Sequence, residues 1–255
     1  MQAEKEKQMT HLDKKATSGI GAFFFGLYAW LAFVLSVLSG IVFALFLPGL
    51  ERRRRWVSAS ARAAFTLTGM RVTLRGLEKL PEGHCIVVAN HASYIDGVVL
   101  FGFMPPRFAF VIKGEMKNFP AVNFLLRRIG ARFVERFDAS GSARDARQLL
   151  RAASSGESLA IFPEGTFLRY PGLDRFRAGA FAAAIKGSLP VVPTVISGSR
   201  QVLPGGHLLP RHGHLRIDIL NPIEPGDPAY ENSRDLAELS RQRILEVLDE
   251  PDLLE

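Results

Sequence analysis

The sequence lacks a second cysteine: Cys85 stands alone among 255 residues. One thiol excludes a disulfide framework and any multi-cysteine zinc site, and it fits a reducing compartment. Internal repeats and low-complexity linkers are also missing. At 47% hydrophobic and 22% charged the chain is not a disordered tail, and its length suits one large domain or one domain plus an appendage. The most informative absence is local. Residues 16–50 contain no Asp, Glu, Lys, Arg or His.

A helix of that length would run about 52 Å, against a hydrocarbon core of about 30 Å. One span fits with residues to spare, whereas two full spans need about 40 residues. Ser39-Gly40 and Pro48-Gly49 offer break points. The segment therefore reads as a single tilted helix through Phe23–Leu47, or as a helical hairpin that dips into one leaflet and returns. A buried core helix is the bland alternative, and the four arginines Arg52–Arg55 that follow at once oppose it. Lys5, Lys7, Lys14 and Lys15 on one flank nearly balance Arg52–Arg55 and Arg62 on the other, which favours both ends on the cytoplasmic side. The apolar run is much longer than the core of a signal peptide. Trp56, just beyond it, suits an interfacial anchor better than Trp30, which sits well inside.

The remaining charge is uneven. Residues 51–220 hold 25 Lys and Arg against 12 Asp and Glu, and residues 221–255 hold 3 against 10. A basic body beside a membrane segment points to anionic headgroups or an anionic substrate. No zinc-finger, RNA-recognition or P-loop pattern accompanies the charge, so nucleic acid is not an expected partner. In the acidic tail Leu236, Leu239, Ile244, Leu245 and Leu248 recur near helical spacing, as in a surface helix with a solvated face.

Short β-rich runs occur at Arg71–Leu74, Cys85–Ala89, Phe108–Ile112, Arg132–Glu135, Leu159–Phe162, Val191–Ile196 and Leu215–Leu220. Helical stretches fit Ser93–Phe103, Ala121–Ile129, Ser142–Ala153 and Arg175–Lys186. This alternation predicts an α/β fold: a mixed, largely parallel sheet flanked by helices, with an N-terminal membrane-embedded helical segment. The expected organisation is a polar tail at 1–15, a membrane segment at 16–50, a basic connecting helix at 51–69, the α/β domain at 70–220 and an acidic helix and tail at 221–255.

Ligands of such sheets sit beyond the carboxyl ends of strands, and two places there are rich in chemistry. At Asn90-His91-Ala92-Ser93-Tyr94-Ile95-Asp96 an apolar strand gives way to a helix. Ser93 and Asp96 have capping-box spacing. On a continuous helix His91 and Asp96 would lie about 140° apart and would not meet. If the helix begins between them, Asp96 points back over the loop that holds His91. An imidazole paired with a carboxylate is a general base: the carboxylate fixes the tautomer and stabilises the imidazolium. The competing reading makes Asp96 a cap and His91 a satisfied polar residue. The second place is Phe162-Pro163-Glu164-Gly165-Thr166, a turn at a strand end, with Arg169, Arg175 and Arg177 downstream as phosphate-binding candidates.

Together, in this order, the two motifs resemble the glycerolipid acyltransferase family that includes 1-acylglycerol-3-phosphate acyltransferases. Its H-x4-D block matches Asn90–Asp96. A second block matches Gly130-Ala131-Arg132-Phe133-Val134-Glu135-Arg136, and a Lys-x-Glu…Pro stretch ahead of it matches Lys113–Pro120. F-P-E-G-T is whole at Phe162–Thr166, and an apolar run with a proline matches Val191–Ile196. The similarity covers residues 70–220, and an N-terminal membrane segment is usual for the family.

The resemblance implies His91 as general base and Asp96 as its orienting partner. It implies acceptor binding by Arg136, Glu164, Gly165, Thr166 and Arg169, and an acyl-donor site shaped by Pro193. The donor would be acyl-CoA or acyl-carrier protein, the acceptor a lysophospholipid, with no metal or bound cofactor. The enzyme would work at the membrane with its catalytic domain on the cytoplasmic face. Many members continue F-P-E-G-T with Arg, whereas here Phe167-Leu168 follow and the first arginine is Arg169. The usual polar residue after the histidine is Ala92. Backbone N–H groups near Ser93 or in the Gly165 turn are candidate oxyanion donors. Competing readings are an acyltransferase for another hydroxylated lipid, a membrane-anchored serine hydrolase built on Gly156-Glu157-Ser158 and a non-catalytic lipid-binding protein.

Overall fold

The structure is a computed structural model that describes residues 19–134, 149, 151–152 and 157–254. Seven strands form one sheet: β1 (Arg71–Arg75), β2 (Ile86–Ala89), β3 (Phe108–Lys113), β4 (Arg132–Val134), β5 (Ser158–Ile161), β6 (Val191–Ser197) and β7 (His214–Ile219). The described helices are α1 (Ile20–Phe46), α2 (Leu50–Leu67), α3 (Asp96–Phe103), α4 (Pro120–Arg128), α5 (Gly179–Gly187), the short α6 (Ser199–Val202) and α7 (Ser233–Leu245). Each strand coincides with a β-rich run of the sequence. The helix expected at Ser142–Ala153 falls largely outside the described residues.

The strand order is β1-β7-β6-β2-β5-β3-β4, and every pair is parallel except β6 with β7. The central strand β2 is buried on both faces, which explains its unbroken apolar run. Its side chains alternate between two cores. Ile86 and Val88 face Phe181 of α5 and Leu236 and Ile244 of α7. Val87 and Ala89 face Phe65 of α2, Val99 and Leu100 of α3 and Phe33 of α1. The result is a sheet between two helical layers, with the apolar N-terminal helix on one of them.

That helix is continuous from Ile20 to Phe46 and breaks at Pro48-Gly49, not at Ser39-Gly40. The hairpin within residues 16–50 is therefore not formed; the returning arm is the basic helix α2. Contacts at Gly40–Val57, Ser39–Ser60 and Phe33–Phe65 show the two running antiparallel. The face of α1 turned inward carries small residues, Gly26, Ala29, Ala32, Gly40 and Ala44, with Phe33. The large side chains point outward: Phe24 is 62% exposed and Leu35 55%. A soluble core helix would show the reverse.

Helix α2 also departs from expectation. Arg53 and Arg54 turn inward and hold helix ends. Arg53 donates to the carbonyls of Leu47 and Arg128, and Arg54 to those of Ile129, Pro106 and Arg107. Arg52 and Arg55 remain exposed, Arg55 paired with Glu51. The acidic C-terminal segment is likewise more than a solvated surface helix. Leu236 and Ile244 are fully buried, and Arg241, 1% exposed, donates to the carbonyls of Leu173 and Asp174 and pairs with Asp252. Glu250 pairs with Arg200 and accepts from the Gly172 N–H.

Candidate active site

Strands β2 and β5 are neighbours, in register Val88 with Ile161. The chain after β2, Asn90-His91, and the chain after β5, Phe162-Pro163-Glu164, therefore leave the sheet side by side at its carboxyl edge. Asn90 secures the first to β6. Its side chain donates to the Ile196 carbonyl at 3.0 Å and accepts from the Ile196 N–H at 2.7 Å. Sequence reading missed Asn90 in this role, because nothing local marks a partner 106 residues away.

Helix α3 begins at Asp96, so the carboxylate does point back over the loop. Asp96 Oδ2 accepts from His91 Nδ1 at 2.9 Å and from the N–H groups of Ala92 and Ser93, each at 2.7 Å. A carboxylate on Nδ1 places the ring proton there and leaves Nε2 as the basic atom. Asp96 is fully buried, and its Oδ1 has no hydrogen-bond partner among the described residues. The capping box is only half made: the Ser93 hydroxyl donates to the Leu203 carbonyl at 2.6 Å. The His91 ring stacks on Phe162 at 4.3 Å between centroids and meets the edge of Phe167 at 4.9 Å. Phe167 in turn packs on Tyr94 at 4.6 Å. The sequence motifs contain or adjoin these aromatics but gave none of them a place against the His91 ring.

Glu164 lies beside the main chain of His91. One carboxyl oxygen accepts from the His91 N–H at 2.6 Å, the other from the Asp174 N–H at 3.3 Å. Burial pushes its pKa up from 4.5 to about 8 against the pull of those two donors, and the charges of Asp174 and Asp96 raise it further. Here Glu164 braces the main chain that carries His91.

The other candidates fall in different places. Gly165 takes a left-handed conformation, φ +85°, and its N–H donates to the Phe162 carbonyl. The Ala92, Ser93 and Gly165 N–H groups are thus already engaged within the protein. Thr166 is exposed. Arg169 is exposed and lies along the Gly205-Gly206 turn. Arg177 Nε donates to the Glu164 carbonyl at 3.3 Å, which puts a guanidinium beside the Pro-Glu-Gly turn. Pro193 is buried within β6 opposite Val88, inside the sheet rather than at its edge. Arg136 lies outside the described residues. Ser158 opens β5 and is 1% exposed, so it is no nucleophile elbow. Among the described residues no group of three or more His, Cys, Asp and Glu could hold a metal ion.

The acyltransferase family profile matches residues 71–197. The 1-acyl-sn-glycerol-3-phosphate acyltransferase of Haemophilus influenzae is 31% identical over 65% of this chain and 70% of its own length. The chain belongs to the acyltransferase family. Another such relative, from Pseudomonas aeruginosa, is 29% identical over 83% of this acyltransferase-family chain and 82% of its own. A chloroplastic one from Brassica napus is 28% identical over 85% of this chain, which spans 62% of that relative's length. The crystal structure of the 1-acyl-sn-glycerophosphate acyltransferase PlsC from Thermotoga maritima superposes with a TM-score of 0.73 at 25% identity, covering 89% of this chain and 96% of that one. The fold of that structure is thus shared over most of this chain.

Proposed function

We propose that the protein is a membrane-associated O-acyltransferase that moves a fatty acyl group from a thioester donor to the free hydroxyl of a lysophospholipid, with 1-acylglycerol-3-phosphate as acceptor. The observation that carries this reading is the His91 imidazole bonded through Nδ1 to a buried carboxylate at the carboxyl edge of the sheet. The acceptor is supported by the names of the relatives. In the reaction His91 Nε2 takes the proton of the acceptor hydroxyl as its oxygen attacks the thioester carbonyl. Asp96 stabilises the imidazolium that forms. The tetrahedral intermediate collapses to the ester, and the departing thiolate of CoA or carrier protein recovers the proton from His91. No serine ester forms on the protein. Arg177, beside Glu164, is the described arginine best placed to meet the acceptor's phosphate.

We further propose that α1 lies within one leaflet and does not cross the bilayer. At 27 residues it would be about 40 Å long, enough to span. Yet it is strapped to the protein at both ends, from Tyr28 on the Leu67 carbonyl to Arg128 on the Ala44 carbonyl. Crossing would draw α2, with Arg52, Arg55 and Arg62, into the hydrocarbon, at about 2.5–3.5 kcal/mol for each arginine near its centre. Lying flat, α1 buries its large side chains in lipid and keeps the active site at headgroup depth, on the cytoplasmic face that the flanking lysines and arginines favour.

A second reading, transfer to another hydroxylated lipid, is favoured by one observation. Phe167 stands against the His91 ring where many members carry arginine. Purified full-length protein, given a labelled acyl thioester and a panel of lysophospholipids and other hydroxylated lipids, separates the two. Acylation of 1-acylglycerol-3-phosphate above all others is expected. Preference for an acceptor without a phosphomonoester would move the assignment to the second reading, and acylation of none would overturn both.

A further inference from the structure

The loop between Val202 and Arg211 touches both the N-terminal helix and the catalytic loop. The Arg211 N–H donates to the Val202 carbonyl at 2.7 Å and closes the loop, and a turn from Pro204 to His207 shapes its tip. On one side the Leu203 carbonyl accepts from the Ser93 hydroxyl, two residues from His91. A methyl group on Gly205 would stand 3.4 Å from the Phe167 ring, which itself contacts His91. On the other side Leu209 packs against Gly26, and the Trp30 indole N–H donates to the Leu208 carbonyl.

Leu208 is 80% exposed, as much as Ile20 and Phe46 at the ends of α1. A lone exposed leucine needs no explanation. This one continues the outward apolar face of α1 through Trp30, which is itself 43% exposed. From Leu203 to Pro210 the loop contains no Asp, Glu, Lys or Arg, and its one titratable side chain is the exposed His207. Basic side chains border it: Arg169 lies along Gly205-Gly206, and Arg211 follows directly. An apolar tip with a cationic rim fits a surface with hydrocarbon below and anionic headgroups above.

We propose that the Pro204–Pro210 loop is a second membrane-insertion element, which seats Leu208 in the same leaflet as α1 and so presses the mouth of the His91 site against the lipid. This rests on the leaflet reading of α1. The lysolipid acceptor, an amphiphile in that leaflet, then reaches His91 along Trp30, Leu208 and Phe167 without leaving the bilayer.

The test uses full-length protein in vesicles of phosphatidylcholine and phosphatidylglycerol. A fluorescent maleimide is placed by Leu208→Cys, Leu35→Cys on the outward face of α1, or Glu246→Cys on the opposite helical layer. The native Cys85 is fully buried, and burial pushes its thiol to about 11, so only the introduced thiol reacts. Phospholipid with a nitroxide high on its acyl chain is the quencher. Quenching at positions 208 and 35, each at least twofold, with none at 246, is the expected result. Quenching at 35 with position 208 behaving like 246 overturns the loop proposal alone. No quenching at 35 overturns the leaflet reading as well.

Discussion

At the residue scale the site turns on two carboxyl groups with different work. Asp96 holds the His91 tautomer through one oxygen that also gathers two main-chain N–H groups. Asp96→Asn would offer an amide donor to Nδ1 and favour the wrong tautomer. A loss of about 10²–10⁴ in kcat is expected, by analogy with catalytic triads; an unchanged kcat would remove Asp96 from its orienting role. Glu164 instead fixes the backbone, and burial raises its pKa to about 8 from 4.5. Between those values the folded protein binds more protons than the unfolded chain, so its contribution to stability falls as pH rises through that window. Glu164→Gln keeps an acceptor for the His91 N–H and cannot ionise. Thermal unfolding from pH 5 to 8 is expected to show a shallower decline for the variant than for the wild type; parallel curves would contradict this. The His91–Asp96 pairing was legible in the sequence because it depends on local spacing and a helix start. The position of Glu164 was not, because its direction depends on β2 lying next to β5.

At the element scale, helix ends are closed by side chains from other helices. At the end of α1 the carbonyls of Ala44, Leu45 and Leu47 accept from Arg128 and Arg53, and at the end of α4 those of Arg128 and Ile129 accept from Arg53 and Arg54. This satisfies terminal carbonyls that an apolar helix cannot leave bare. Arg54 is 6% exposed and serves three carbonyls at once. Arg54→Met keeps much of the volume and strands those acceptors, each at about 1–3 kcal/mol. A loss of about 3 kcal/mol is expected in urea unfolding, with Arg52→Met near neutral; equal effects would show that α2 faces its arginines otherwise. The seven strands were readable as short β-rich runs. Their order in the sheet was not, and neither was the inward turn of Arg53 and Arg54, since a run of four arginines carries no mark of which two meet carbonyls.

At the scale of the whole molecule the uneven charge resolves into separate tasks. Part of the acidic C-terminus answers the chain's own arginines, Arg200 and Arg241, behind the loop that follows F-P-E-G-T. The basic surface left around α2 and the 203–211 loop lies beside the outward apolar face of α1. The uncharged stretch was legible from composition alone as one long apolar helix. Its packing against the rest of the protein was not, because that follows from small residues at Gly26, Ala29, Ala32, Gly40 and Ala44 meeting partners far along the chain. The proposed function thus puts a base and its carboxylate on a sheet edge at lipid depth. The most direct measurement compares wild type with His91→Ala in vesicles containing 1-acylglycerol-3-phosphate and a labelled acyl thioester. The wild type is expected to form labelled phosphatidate with no label on the protein, and the variant to fold, bind the vesicles and form none. Turnover retained by the variant, or an acyl group found covalently on the protein, would contradict it.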